Sequence, residues 1–143
     1  MLHLTGIKYK TDNTNENVTP VDGDKNTVMK ALHSEMAYMY AADTLKGLTI
    51  LIVDDDMNTY LRDQQWKQDD DTVYRFTGVQ HKTDGTDINI PLVNLTGINA
   101  VQMRYHQEME SMYDSEVLSG CGIKAFRADL TDAVNSTEYK EEV

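Results

Sequence analysis

The chain repeats itself. LTGIKYKTDNT, beginning at Leu4, returns as FTGVQHKTDGT from Phe76, 72 residues on, and HSEMAYMYAADTLKG, from His33, returns as HQEMESMYDSEVLSG from His106, 73 residues on. Two motifs that recur in the same order, with one residue inserted between them, indicate duplication of a unit about half as long as the chain. With 143 residues in all, either unit alone would bury only a modest core. The expected organisation is therefore a first unit over residues 1–67, a junction at 68–72 and a second unit over 73–143, the two sharing one core. Two repeats are too few for an open solenoid, so a closed pseudo-two-fold pair is expected.

Each unit opens with an extended segment ending in Lys-Thr-Asp. Asp84-Gly85 is a strong hairpin signal because tight turns need positive φ, and Asp12-Asn13 is the next-best equivalent. Ile88, Ile90 and Leu92 alternate with polar residues as a return strand should. The matching segment of the first unit is more polar, and Pro20 demotes it to an edge strand or loop. Val28, Leu32, Met36 and Met39 then step by four, four and three along one helical face, as do Val101, Tyr105, Met109 and Met112. Asn26 and Asn99 stand at the expected N-caps, with Gly47 and Gly120 just past the expected ends of two helices of about twenty residues. A short strand and a short helix capped by Asp56 or Asp129 complete each unit. The fold class predicted is α+β, two tandem ββαβα-like repeats.

No catalytic, cofactor or metal site is expected. Leu51-Ile-Val-Asp-Asp-Asp56 looks like the first strand and acidic pocket of a receiver domain, but no later strand supplies a phospho-accepting aspartate. Asp54, Asp56 and Asn58 begin like a calcium loop, yet Thr59 stands where the turn needs glycine and Gln65 where a bidentate glutamate belongs. His33 with Glu35, and His106 with Glu108, recur in both units; residues two apart on a helix point about 200° apart and cannot share one ion. A site joining His33 to His106 across the pseudo-two-fold axis is geometrically allowed, but local hydrogen bonding at the core boundary is the expected role. Cys121 lacks any motif that would activate it. Met36, Met39, Tyr40, Met109, Met112 and Tyr113 are the candidate interface residues; plain core packing is favoured for them, and a protomer interface would read the same way.

The 24 acidic side chains outnumber the 13 basic ones for a net charge of -11, so no basic patch for nucleic acid or anionic lipid is expected, and no apolar run has the length of a membrane span. Residues 66–126 contain an aromatic-flanked hairpin with the Asp84-Gly85 turn, the strand Ile88-Asn-Ile-Pro-Leu92, and a long helix ending before Gly122-Ile-Lys-Ala-Phe126. This arrangement resembles small phage proteins encoded beside tail-fibre genes. The resemblance implies a virion context and transfers no catalytic residues. The expected function is a non-enzymatic phage structural protein of tail, baseplate or neck, made soluble in the host cytoplasm, whose partners are other virion proteins and copies of itself. The alternative is an acidic, DNA-mimic-like inhibitor of a basic nucleic-acid enzyme.

Overall fold

Tight hairpin turns and two helices set the architecture of the computed structural model, which describes residues 1–141. The first half runs β1 (Leu2–Lys10), β2 (Asn15–Asn17), β3 (Val21–Gly23), α1 (Lys25–Ala41), β4 (Leu45–Asp54) and β5 (Thr59–Trp66). The second runs β6 (Val73–Lys82), β7 (Asp87–Thr96), α2 (Ile98–Asp114), β8 (Leu118–Phe126) and β9 (Asp132–Tyr139). The chain is thus mixed α+β with two antiparallel sheets, ordered β2-β1-β4-β5, with β3 also on β1, and β7-β6-β8-β9. Each helix packs on its own sheet and against the other helix.

The last element of each half corrects the ββαβα expectation: it is a strand. Asp56 and Asp129 cap no helix, because both lie in the turns of the β4–β5 and β8–β9 hairpins. Asp54 Oδ1 accepts the amides of Asp56 and Asn58, each at 2.9 Å, and Asp129 Oδ1 accepts that of Thr131 at 3.0 Å. Carboxylates before a helix and carboxylates in a turn satisfy the same kind of stray amide, so the residue type does not distinguish them.

The helix limits also differ from those read in the sequence. Asp24, not Asn26, caps α1, its Oδ1 accepting the Thr27 amide at 2.9 Å. Gly97 precedes α2 with φ 92° and has no side chain to cap with; Asp70, from the acidic junction, accepts the Ile98 amide at 3.0 Å in its place. Gly47 and Gly120 do not terminate helices. They lie inside β4 and β8, paired with Trp66 and Tyr139, and a Cβ at either glycine would collide with that ring at 2.3 or 2.4 Å. Glycine is needed there because an aromatic side chain folds flat across the strand.

Asn26 and Asn99 instead tie each helix to the far end of the other half. Asn26 Nδ2 donates to the Glu141 carbonyl and its Oδ1 accepts the Glu141 amide, both at 3.0 Å, while Asn99 Oδ1 accepts the Gln68 amide at 3.2 Å. Lys25 Nζ adds a bond to the Tyr139 carbonyl at 2.9 Å. The sheet edges are thereby managed in two ways: proline interrupts one side, at Pro20 between β2 and β3 and at Pro91 within β7, and helix N-terminal residues hold the end of the other. Replacing Asn26 with alanine should lower stability by about 1 kcal/mol, the net worth of such bonds at a solvated site. Urea denaturation measures the loss, and faster hydrogen exchange at the Glu141 amide would localise it.

One hydrophobic cluster contains residues of both halves. It includes Leu4, Val28, Leu32, Met36, Met39, Leu48, Ile50 and Ile52 from the first, with Tyr74, Phe76, Val101, Met109, Met112 and Ile123 from the second. Of the candidate interface residues, Met36, Met39, Met109 and Met112 are wholly buried, Tyr113 is nearly so and Tyr40 is half-buried. They pack inside this chain, chiefly where α1 meets α2, so the four methionines present no surface to a second protomer.

Candidate functional site

The helix contact contains a polar seam. His33 on α1 and His106 on α2 are 2 % and 1 % exposed, and their Nδ1 atoms lie 2.8 Å apart. Each Nε2 points at a side chain from the last strand of the opposite half: His33 at Glu138 Oε1 of β9, 3.0 Å away, and His106 at Gln65 Oε1 of β5, 3.3 Å away. Tyrosines complete both ends. Tyr113 donates to Glu138 Oε1 at 2.8 Å and Tyr40 to Gln65 Oε1 at 2.8 Å. Tyr105 is 2.9 Å from Glu138 Oε2 and 3.2 Å from Ser136 Oγ, and its ring lies edge-on to both imidazoles. Three pairs of these residues lie 73 apart in the sequence: His33 and His106, Tyr40 and Tyr113, Gln65 and Glu138.

Hydrogen-bond accounting assigns the protons. Gln65 Nε2 donates to Asp63 Oδ2 at 3.0 Å, which leaves Gln65 Oε1 as the acceptor for Tyr40 and for an N–H at His106 Nε2. Glu138 likewise requires an N–H at His33 Nε2. Two neutral rings protonated there would turn Nδ1 lone pairs at each other across 2.8 Å. A further proton between them resolves the conflict, so the pair carries three ring protons and one positive charge, faced by the Glu138 carboxylate.

The surrounding electrostatics agree. Burial first, and then the charge of His33, hold the pKa of His106 at about 3 against the pull of Glu138, so His106 is the neutral member. Burial alone would raise Glu138, but the hydrogen bond and charge of His33, with the Tyr113 and Tyr105 hydroxyls, outweigh it and hold the carboxyl at about 2. Burial pushes Tyr40 up to about 12 and raises Tyr105 and Tyr113 further, so all three remain hydroxyl donors. Asp63 is raised by burial.

Both ends of the seam reach the surface. Glu138 lines a groove of about 400 Å³ with Lys25, Tyr60 and Tyr113. Gln65 lines another of about 270 Å³ with Tyr40, Trp66 and Gln102. Chemically, this arrangement holds one proton in the interior and stiffens the helix contact. Among the described residues, no group of three or more His, Cys, Asp or Glu gathers as a metal site. Glu35 is drawn off by Lys8 at 3.6 Å and Glu108 by Arg104 at 3.1 Å, so neither acid joins its neighbouring histidine. Cys121 is buried, and burial raises its thiol to about 12, which keeps it protonated.

The sequence thus supplied the two histidines and two of the tyrosines but not Glu138, Gln65, Asp63 or Tyr105 in these roles. The signal available was the alignment of Gln65 with Glu138 at the same 73-residue offset as the histidines. Among the described residues, no helix is long and apolar enough to cross a membrane. No family model matches this chain, and no curated protein or solved structure matches it at the significance threshold.

Proposed function

We propose that the protein is a non-enzymatic assembly subunit of a phage virion, of tail, baseplate or neck, built as a fused dimer. In this reading two duplicated hairpin–helix–hairpin units related by a pseudo-two-fold axis close on each other through α1 and α2. The observation that carries it is the commitment of the seam: among the described residues, no buried side-chain nitrogen or oxygen lacks a hydrogen-bond partner. A catalytic cluster keeps donors or acceptors for a substrate, whereas here the imidazoles, hydroxyls and carboxylate bond one another. A buried polar network of this kind fixes how two elements meet, which suits a part whose role is shape. The virion context rests on the resemblance of the hairpin and helix over residues 66–126, and the expected partners are copies of the chain and other virion proteins.

Light scattering of the full chain across concentration, at low and high salt, tests the reading. The expected result is an oligomer that persists in high salt, because packed contacts are screened much less than surface charge. A monomer at every concentration contradicts it. The acidic-inhibitor alternative draws on the net charge of -11 and requires instead a basic partner whose affinity falls steeply with salt.

A further inference from the structure

The four hairpin turns share one geometry. In each, the amide of the fourth residue bonds back to the carbonyl of the first: Asn13 to Lys10, Met57 to Asp54, Gly85 to Lys82 and Leu130 to Arg127, at 2.9–3.1 Å. The first residue's amide in turn reaches the carbonyl of the fifth, at 2.8–2.9 Å. That fourth residue is left-handed every time, with φ of 70° at Asn13, 66° at Met57, 86° at Gly85 and 69° at Leu130. Asparagine and glycine suit this slot; unbranched or branched apolar side chains are strained in it. Met57 and Leu130 are moreover 75 % and 74 % exposed, so burial in the chain's own core does not explain them. They lie 73 residues apart, at corresponding hairpin tips flanked by Asp55 and Asp56 or by Asp129 and Asp132.

The outer face of each sheet carries the complement. A groove of about 470 Å³ is lined by Thr5, Ile7, Thr49, Leu51 and Arg62, and one of about 590 Å³ by Thr77, Val79, Leu92, Lys124 and Asn135 among others. Neither has a carboxylate in its lining, although the chain carries 24. Each instead has an apolar floor with a basic side chain at it, Arg62 in the first and Lys124 with His81 in the second; Lys124 is 3.9 Å from Asp132 and His81 2.9 Å from Asp87 of its own chain.

We infer that the apolar tips Met57 and Leu130 of one copy of this chain dock into the sheet-face grooves of another. An exposed apolar knob between aspartates matches an apolar groove with a cation at its rim, in both shape and sign. The occupant is a second copy because the same chain presents both complementary parts, each twice. This contact rests on the assembly reading above and gives it a specific interface. Two tips and two grooves per chain allow continued association, as a ring or a filament according to whether the rotation closes.

Sedimentation velocity on the full chain, over a concentration series, tests the contact with two double variants. Met57→Gly with Leu130→Gly removes both knobs while placing the favoured residue in each left-handed slot. It should weaken association by at least about 30-fold, as loss of a central interface anchor does, with an unchanged or raised melting temperature. Arg62→Glu with Lys124→Glu should weaken association to a similar degree by opposing the acidic tips. Wild-type oligomers that persist in both variants overturn the tip-and-groove contact and leave the assembly reading standing. A wild-type chain that stays monomeric throughout overturns the assembly reading itself, and this contact with it.

Discussion

Glu138→Ala is expected to destabilise the fold by about 3 kcal/mol, because it strips three donors of their acceptor and leaves a positive charge buried beside none. The carboxylate accepts from His33, Tyr113 and Tyr105 within 3.0 Å. Its side chain is 19 % exposed and that of His33 only 3 %, so water entering the vacated space relieves part of the cost but does not reach the imidazole freely. Glu138→Gln should lose less, about 2 kcal/mol, because it keeps an acceptor but, like alanine, removes the counter-charge. Glutamine retains an oxygen for His33 and Tyr113, and its amide can donate to the Tyr105 oxygen while that hydroxyl turns to Ser136. Position 65 already holds glutamine, bonded to His106 and Tyr40. Urea denaturation followed by tyrosine and tryptophan fluorescence measures both losses. Equal effects of alanine and glutamine, or two negligible ones, would show that the seam does not depend on this acceptor.

Acid should weaken the protein well before its carboxylates are fully protonated. An unfolded histidine takes a proton at about 6.5, whereas folded His106 resists one until about 3 because it is buried beside an imidazole that already carries the shared charge. Between those values the unfolded chain binds more protons than the folded one at this group, so its contribution is complete above the upper value and is lost as the pH drops. The loss from this group reaches roughly 3 kcal/mol by pH 4. Glu138, held at about 2 in the fold, adds to the loss below its ordinary value, in the same direction. Asp63, raised by burial, acts oppositely: its contribution is present in acid and is lost as pH rises through the raised value. The structural reason for the His106 term is direct. A second added proton would set two N–H groups against each other across 2.8 Å. Thermal unfolding from pH 7 to pH 4 should show the decline, and His106→Asn, which keeps an acceptor for His33 without a titrating ring, should flatten it. A wild-type profile already flat over that range would contradict the proposed protonation of the pair.

The helical stripes were legible because their positions are apolar and their spacing is helical: Val28, Leu32, Met36 and Met39, like Val101, Met109 and Met112, are buried as their steps imply. The first edge was legible from Pro20, which does split the strand pairing with β1 into β2 and β3. The strands β5 and β9 were not legible. Their inward positions include Asp63, Gln65, Ser136 and Glu138, which face the polar seam instead of the apolar core, so the alternation expected of a strand is present in space but not in hydropathy. The same substitution concealed the seam. His33 and His106 are recognisable from the recurring HSEM and HQEM segments, but the residues that hold their Nε2 atoms stand on segments that read as helix. Strain at Met57 and Leu130 was equally silent, because nothing in the sequence marks an apolar residue as left-handed. The recurring motifs are visible in the residues; which residue of one half meets which residue of the other depends on how the halves close.

The most direct test of the seam is nitrogen-15 NMR of the histidine rings across a pH titration. With His33 and His106 sharing one proton inside a closed network, the spectrum should show one imidazole that stays neutral from pH 7 to pH 4, with a strongly downfield Nδ1 proton between the two rings. Two imidazoles titrating independently near about 6.5 would mean that both rings meet solvent, and would contradict a sealed structural seam.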